Sequence, residues 1–454
     1  MPKPLAVICC VGLTPNHLGS ATPNLTALAS KGFFAPLSGV VPAVTTAAQT
    51  TMLTGVAPQA HGIVGNGWYA RELGEVQFWK QSQRLVEAPH VWTRIRARRP
   101  GYKVLKHFWW YAMNTDADAT VTPRPAYHHD GRKSPDFYAW PPALKSKLLA
   151  RHQDFPLFQF WGPATSIIAT RWIARSFLSA WDDAKPDLGL CYLPHLDYDL
   201  QRFGPTGPHL EANLRALDAE AGHVIAGVTE RGGDVLVVSE YGIEAVDTAV
   251  FINRALREAN LLEVSVNATG ELLDPGQSRA FAVCDHQLAH VYCRDRAAML
   301  AAQQVLGQMT GIDRIYSGAD RSSIGLDHAR SGELICLASR GAWFAYDYWL
   351  DAAKAPDFAQ SVEIHKKPGY DPRELLFDPK GGKGRALRAL LRKKLGLRYN
   401  LNPLSLDTGL VKGSHGRPPV NPDEGPVIIG SQRAWLRSAW HMTDVAPLIE
   451  RLAE

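Results

Sequence analysis

Residues 42–69 read PAVTTAAQTTMLTGVAPQAHGIVGNGWY, and the punctuation of this stretch decides how the whole chain is read. Ala47 to Leu53 contain neither Gly nor Pro and can form a helix, whereas Gly55, Pro58 and Gly62 break up the residues after it. Thr45 then sits at or near the N-cap of that helix. A hydroxyl there faces unpaired backbone N–H groups and the positive end of the helix dipole, a combination suited to a phosphate or sulfate oxyanion. The plainer reading of a lone threonine in that place is a helix cap.

Working outward, TPNLTALASKG at residues 22–32 reads as another helix, with Thr22 as N-cap, Pro23 in the first turn and Gly32 as terminator. The runs PLAVICCVG (residues 4–12), DLGLCYL (187–193) and DVLVVS (234–239) are the apolar stretches expected of strands buried on both faces of a parallel sheet. Residues 207–231 read as one long helix. Strands alternating with helices imply an α/β fold with a doubly wound, mostly parallel sheet and helices on both faces. Its ligands would lie beyond the carboxyl ends of the strands.

At 454 residues the chain can hold one large α/β domain with insertions or two smaller domains. Hydrophobic content of 46% and charged content of 20% are those of a globular protein. A net charge of +5 favours small anionic partners but is too weak to argue for duplex nucleic acid. The six cysteines form no CxxC and lie mostly in apolar runs, as buried thiols of a reducing compartment do. The apolar run at residues 5–13 is too short to span a bilayer and no cleavage pattern comes after it. A cytoplasmic protein without a transmembrane segment is the expectation.

Phosphoryl chemistry assisted by metal needs Asp and His side chains converging from several strand ends. Three such sets occur. PHLDYDLQRFGP places His195, Asp197 and Asp199 at alternate positions, and in an extended segment all three face one side. Glu240 and Tyr241 come directly after DVLVVS, and LVKGSHGRPP presents His415 between glycines.

The order strand, TPNLxxLxxxG helix, PxxT and TGxxPxxHGI resembles the alkaline phosphatase superfamily, and most of all its type I phosphodiesterase/nucleotide pyrophosphatase branch. The resemblance implies an alkaline phosphatase-like fold and a phosphodiesterase that acts through a threonine nucleophile with divalent-metal assistance. It places the nucleophile at Thr45 and a substrate-binding residue at Asn66. The metal positions fall on Asp197, Glu240 and His415, while Val11, Gln201 and Tyr241 stand where the family has further ligands. The implied cofactor is therefore one divalent ion per chain, zinc with manganese as the alternative. His195, Asp199, Asp285 with His286, and His365 are open candidates for the missing ligands. The substrate expected is a small phosphorylated molecule. The alternative is a metal-poor relative that binds a phosphorylated metabolite without hydrolysing it.

Residues 65–163 carry Trp68, Trp79, Trp92, Trp109, Trp110, Trp140 and Trp161 with little periodicity, and read as an insertion over the rim of a single catalytic domain spanning residues 1–454. A strand at 280–284 and a helix at 297–309 suggest that residues 251–326 form a small α+β cap. GLDHARSGEL (325–334) resembles a family connection back into the core sheet. Residues 381–398, GGKGRALRALLRKKLGLR, form a basic amphipathic helix, expected to pack through its leucines, with peripheral contact to anionic lipid as the alternative.

Overall fold

Leu5–Cys10 (β1) is buried along its whole length, because an unbroken run of apolar side chains leaves no face for water. It sits within an eight-stranded sheet. The other strands are Phe33–Pro36 (β2), Val104–His107 (β3), Ala119–Pro123 (β4), Phe137–Trp140 (β5), Leu188–Leu193 (β6), Asp234–Val238 (β7) and Val427–Gly430 (β8). Their order is β2-β8-β7-β1-β6-β3-β4-β5. Strands β7, β1, β6, β3 and β4 are parallel, and the antiparallel pairings are confined to the two edges. This is the α/β architecture expected. With β6 and β7 flanking β1, the chain leaves three adjacent strands at the same end of the sheet, where such folds place their ligands.

The computed structural model describes residues 2–129 and 133–454, and these divide into two compact units. The first holds the sheet and comprises the chain up to Ile63, Gln81–Ile243 and Pro418–Glu454. Its main helices are Pro23–Lys31 (α1), Thr45–Thr54 (α2), Ile167–Ala184 (α3), His195–Phe203 (α4) and Leu210–Glu230 (α5).

Helix α1 runs between Thr22 and Gly32 as expected, but the Thr22 hydroxyl donates to the His17 carbonyl instead of capping. The cap comes from α5: Asp218 accepts from the backbone N–H of Asn24 (3.0 Å) and of Leu25 (2.9 Å). Gly32 is required by close approach, since a Cβ there would lie 1.9 Å from the Gly430 carbonyl oxygen of β8.

All ten residues of α2 are buried, which its small Thr and Ala side chains permit. Thr50 and Thr54 return their hydroxyls to the carbonyls of Thr46 and Thr50, so a hydroxyl-rich helix leaves few donors unmet.

The second unit comprises Val64–Lys80 and Glu244–Arg417. Its centre is a four-stranded antiparallel sheet in the order Ala280–Asp285, Leu288–Cys293, Leu334–Ala338, Ile312–Ser317. Residues 65–163 thus divide: part falls in this unit, and β3, β4 and β5 of the central sheet lie in the rest. The segment at 325–334 leads into Leu334–Ala338, correcting the expectation that it returns to the core sheet, because this strand pairs with Leu288–Cys293.

Gly382–Lys394 (α6) also departs from expectation. It packs through Gly382 and Ala389, the small residues that let a backbone come close, and Leu387, Leu390, Leu391 and Leu395 face outward. Among the described residues no helix is long and apolar enough to cross a membrane.

Candidate active site

In the first unit the carboxyl ends of β6 and β7 and the N-terminus of α2 bring together Thr45, Asp197, Glu240 and Tyr241. Val44 is the N-cap of α2 and Thr45 its first helical residue. Thr45 Oγ1 lies 3.2 Å from the Tyr241 hydroxyl oxygen. Tyr241 donates in turn to Asp197 Oδ1 at 3.1 Å, and Gln201 Nε2 donates to Asp197 Oδ2 at 2.8 Å. Glu240 Oε1 accepts from Gln49 Nε2 at 2.6 Å and from the Cys9 thiol at 3.5 Å. Glu240 Oε2 is buried with no hydrogen-bond partner among the described residues.

The expectation that His195, Asp197 and Asp199 share one face of an extended segment is overturned. They lie on α4, where Asp197 and Gln201, four apart, are neighbours on one face. Asp197 turns toward Tyr241, while His195 and Asp199 both meet Asn213 of α5, at 3.1 and 2.8 Å.

Burial dominates the electrostatics here. Asp197 is pushed up to about 7 by loss of solvent, against the hydrogen bonds from Tyr241 and Gln201 that favour its anion. Glu240 is pushed up to about 8 by burial, with the hydrogen bond from Gln49 holding it down and the Asp197 charge raising it again. Tyr241 is driven well above the ordinary phenol range by burial and by both carboxylates. It stands as a neutral hydroxyl that donates to Asp197.

The second unit gathers Asn66, Asp285, His286, Tyr370 and His415. Asn66 donates from its backbone N–H to Asp285 Oδ2 (2.7 Å) and from its side chain to Oδ1 (3.1 Å). His286 Nδ1 lies 2.8 Å from Asp285 Oδ1. The His286 ring is held between Tyr370 and His415, with centroids 3.6 and 3.7 Å away. His286 and Gln287 are the two-residue turn between Asp285 and Leu288. His286 has φ +61°, a backbone conformation that hairpin turns normally give to Gly or Asn. Burial pulls His286 well below the usual imidazole range, and its Nε2 is buried without a partner among the described residues. His415 is positioned by its carbonyl, which accepts from the Gln287 N–H at 2.9 Å. His365 Nδ1 lies 3.2 Å from the Phe78 carbonyl oxygen.

These donors differ from the metal set that the family resemblance implies. In the first unit both oxygens of Asp197 accept from neutral donors, Val11 is apolar, and the Gln201 amide and the Tyr241 hydroxyl stand where the resemblance implies ligands. A pair of divalent ions needs several carboxylates and imidazoles, and this set does not fit one. Among the described residues no group of three or more His, Cys, Asp or Glu is placed to hold an ion. Three contributors escaped sequence reasoning: Gln49, Cys9 and Tyr370. Gln49 had a signal, since it lies four residues from Thr45 on the same helix face.

Residues 5–371 match the family model described as type I phosphodiesterase/nucleotide pyrophosphatase. An uncharacterized pyrophosphatase/phosphodiesterase of Schizosaccharomyces pombe is 25% identical over 232 residues, which are 49% of this chain and 41% of that relative. The chain thus spans less than half the length of the curated relative it matches. Murine ectonucleotide pyrophosphatase/phosphodiesterase 5, solved also in complex with AMP, superposes with a TM-score of 0.61 at 13% identity, covering 99% of this chain and 95% of that one. Phosphonoacetate hydrolase from Sinorhizobium meliloti 1021, bound to phosphonoformate, gives a TM-score of 0.59 at 14% identity over 100% and 96% of the two chains.

Proposed function

The chain belongs to the type I phosphodiesterase/nucleotide pyrophosphatase family, and on that premise we propose that it is a phosphoric-ester hydrolase that acts on a small phosphodiester through Thr45. One observation carries the reading: Thr45 Oγ1 begins a line of hydrogen-bonding groups, 3.2 Å from Tyr241 and then 3.1 Å to Asp197. A threonine hydroxyl is a weak nucleophile at neutral pH and needs somewhere to send its proton. Tyr241 receives it while passing its own proton to Asp197, whose pKa of about 7 suits a base at neutral pH.

In the first step Thr45 Oγ1 bonds to phosphorus and the bond to the leaving oxygen breaks. Glu240, protonated below about 8, gives that oxygen a proton. In the second step water bonds to phosphorus and yields its proton to Glu240, and the bond between phosphorus and Thr45 Oγ1 breaks. Asp197 returns the first proton to Thr45 through Tyr241. Two carboxyls whose surroundings separate their roles are the usual form of acid–base pairing.

The metal assistance that the resemblance implies, zinc or manganese at one ion per chain, supplies no step here because the first unit's donors do not fit it. Asn66, which the resemblance places at the substrate, is anchored to Asp285. The AMP complex of the murine neighbour makes nucleotide esters the first substrates to screen. Six buried free cysteines support a cytoplasmic placement.

Thr45→Ala tests the proposal with bis(4-nitrophenyl) phosphate and a panel of nucleotide diesters. The expected result is loss of turnover with an unchanged melting temperature. Turnover within about threefold of wild type, under about 1 kcal/mol in the barrier, would remove Thr45 as nucleophile. A second reading, binding without hydrolysis, is favoured by the neutral side chains Val11, Gln201 and Tyr241 at positions where the family carries ligands. Saturable nucleotide binding by wild type without turnover of any diester would establish it.

A further inference from the structure

We infer that α6 is a docking helix for an anionic lipid surface. Its leucines point away from the protein: Leu387 is 61% exposed, Leu391 55% and Leu395 72%. The buried side of the helix is the small one, Gly382 and Ala389. Residues 387, 391 and 395 are spaced by four, and Leu390 joins them by three, so they form one continuous apolar stripe. Arg385, on the inner side, donates to the Asn402 carbonyl and to Asp378, which fixes the orientation in which the stripe faces out.

Charge identifies the occupant. Residues 381–398 contain seven Lys and Arg and no Asp or Glu, against +5 for the entire chain. Lys383 and Lys394 lie at either end of the leucine stripe, on the same face. A protein groove taking the leucines would have to strip water from those two ammonium groups. A bilayer boundary does not, since each lysine can extend its stem and leave its charge among the headgroups while the leucines enter the acyl region. A second copy of the chain would set two such cationic segments against each other. Anionic lipid meets both requirements at once, an apolar layer beneath a negative surface.

Cosedimentation of the full chain with vesicles tests this. Vesicles of phosphatidylcholine containing about 30 mol% phosphatidylserine are compared with pure phosphatidylcholine, because each basic residue near a negative surface contributes about fivefold to partitioning. Binding to the anionic vesicles is expected to exceed binding to the neutral ones by at least about tenfold and to weaken as salt is raised. Leu387→Gln with Leu391→Gln removes two exposed apolar side chains and is expected to lower that binding at least about tenfold with the melting temperature unchanged. Should that pair fail to fold, Arg388→Glu with Lys394→Glu is expected to abolish the preference for anionic vesicles. Equal binding to both vesicles, no binding to either, or leucine variants that bind like wild type would overturn the inference. A dimer by light scattering that the leucine variants dissolve would also overturn it, by showing that a second copy covers the stripe.

Discussion

Glu240→Gln isolates what it costs this fold to keep a buried carboxyl just past the end of β7. Glu240 is 0% exposed, and burial pushes its titration up to about 8, compared with about 4.3 in an unfolded chain. As pH rises, the unfolded chain releases this proton first and the folded one holds it. The group therefore leaves stability untouched below about pH 4, erodes it between about 4 and 8, and keeps it lowered above that. At about 1.4 kcal/mol for each tenfold difference in proton affinity, the loss is about 5 kcal/mol at pH 8 and about 1 kcal/mol at pH 5. Glutamine has the same shape, keeps the acceptor for Gln49, 2.6 Å away in the wild type, and has no proton to lose. Urea unfolding of both proteins at pH 5 and pH 8 is the assay. The variant is expected to gain about 4 kcal/mol on the wild type between the two pH values, a large fraction of an ordinary domain's stability. It should also lose about a hundredfold in turnover, because the acid of the proposed mechanism is gone. A stability difference that does not change with pH would refute the reasoning, since it would mean that some cation already compensates the carboxylate.

The proposed roles give kcat/KM a narrow bell: it rises through about pH 7 as Asp197 loses its proton and falls through about pH 8 as Glu240 loses its own. Tyr241→Phe should lower kcat/KM about a hundredfold and move the rising limb to higher pH, because Asp197 loses a donor to its anion; an unmoved limb would disconnect the two residues. Asp218→Ala should cost about 2–4 kcal/mol in urea unfolding, because it uncaps α1 at Asn24 and Leu25, and a loss below about 0.5 kcal/mol would show that water replaces the cap. Elemental analysis after reconstitution with zinc should find at most one ion per chain, and two would show that the chain has rebuilt a paired-metal site from residues other than those at the family positions.

Some of this was legible because it is local. Thr22, Pro23 and Gly32 mark the ends of α1, although its cap comes from Asp218 and not from the Thr22 hydroxyl, and the Gly-free, Pro-free run after Thr45 is helical. The apolar runs of β1, β6 and β7 announce strands buried on both faces. Segment 195–203 misled because alternation of His195, Asp197 and Asp199 fits an extended chain as well as a helix. It is a helix, and Asp197 meets Tyr241, 44 positions away in sequence, a contact that no local pattern encodes. Gln49 finds Glu240 across 191 positions for the same reason. In α6 the sequence defines two faces but not which of them meets the protein, and the small residues won over the leucines because they permit closer backbone packing. His286 was visible only as a candidate ligand. Its left-handed turn position becomes apparent once the strands on either side are paired.

The complete burial of α2 bears on motion. A nucleophile on a surface loop samples many positions and is brought into line by its substrate. Thr45, the proposed nucleophile, stands on a helix that belongs to the core, whose amide protons are expected to be released to solvent only when a large part of the first unit opens. The substrate must adjust to it, and rearrangements that admit a substrate or release a product fall to segments less deeply embedded than α2.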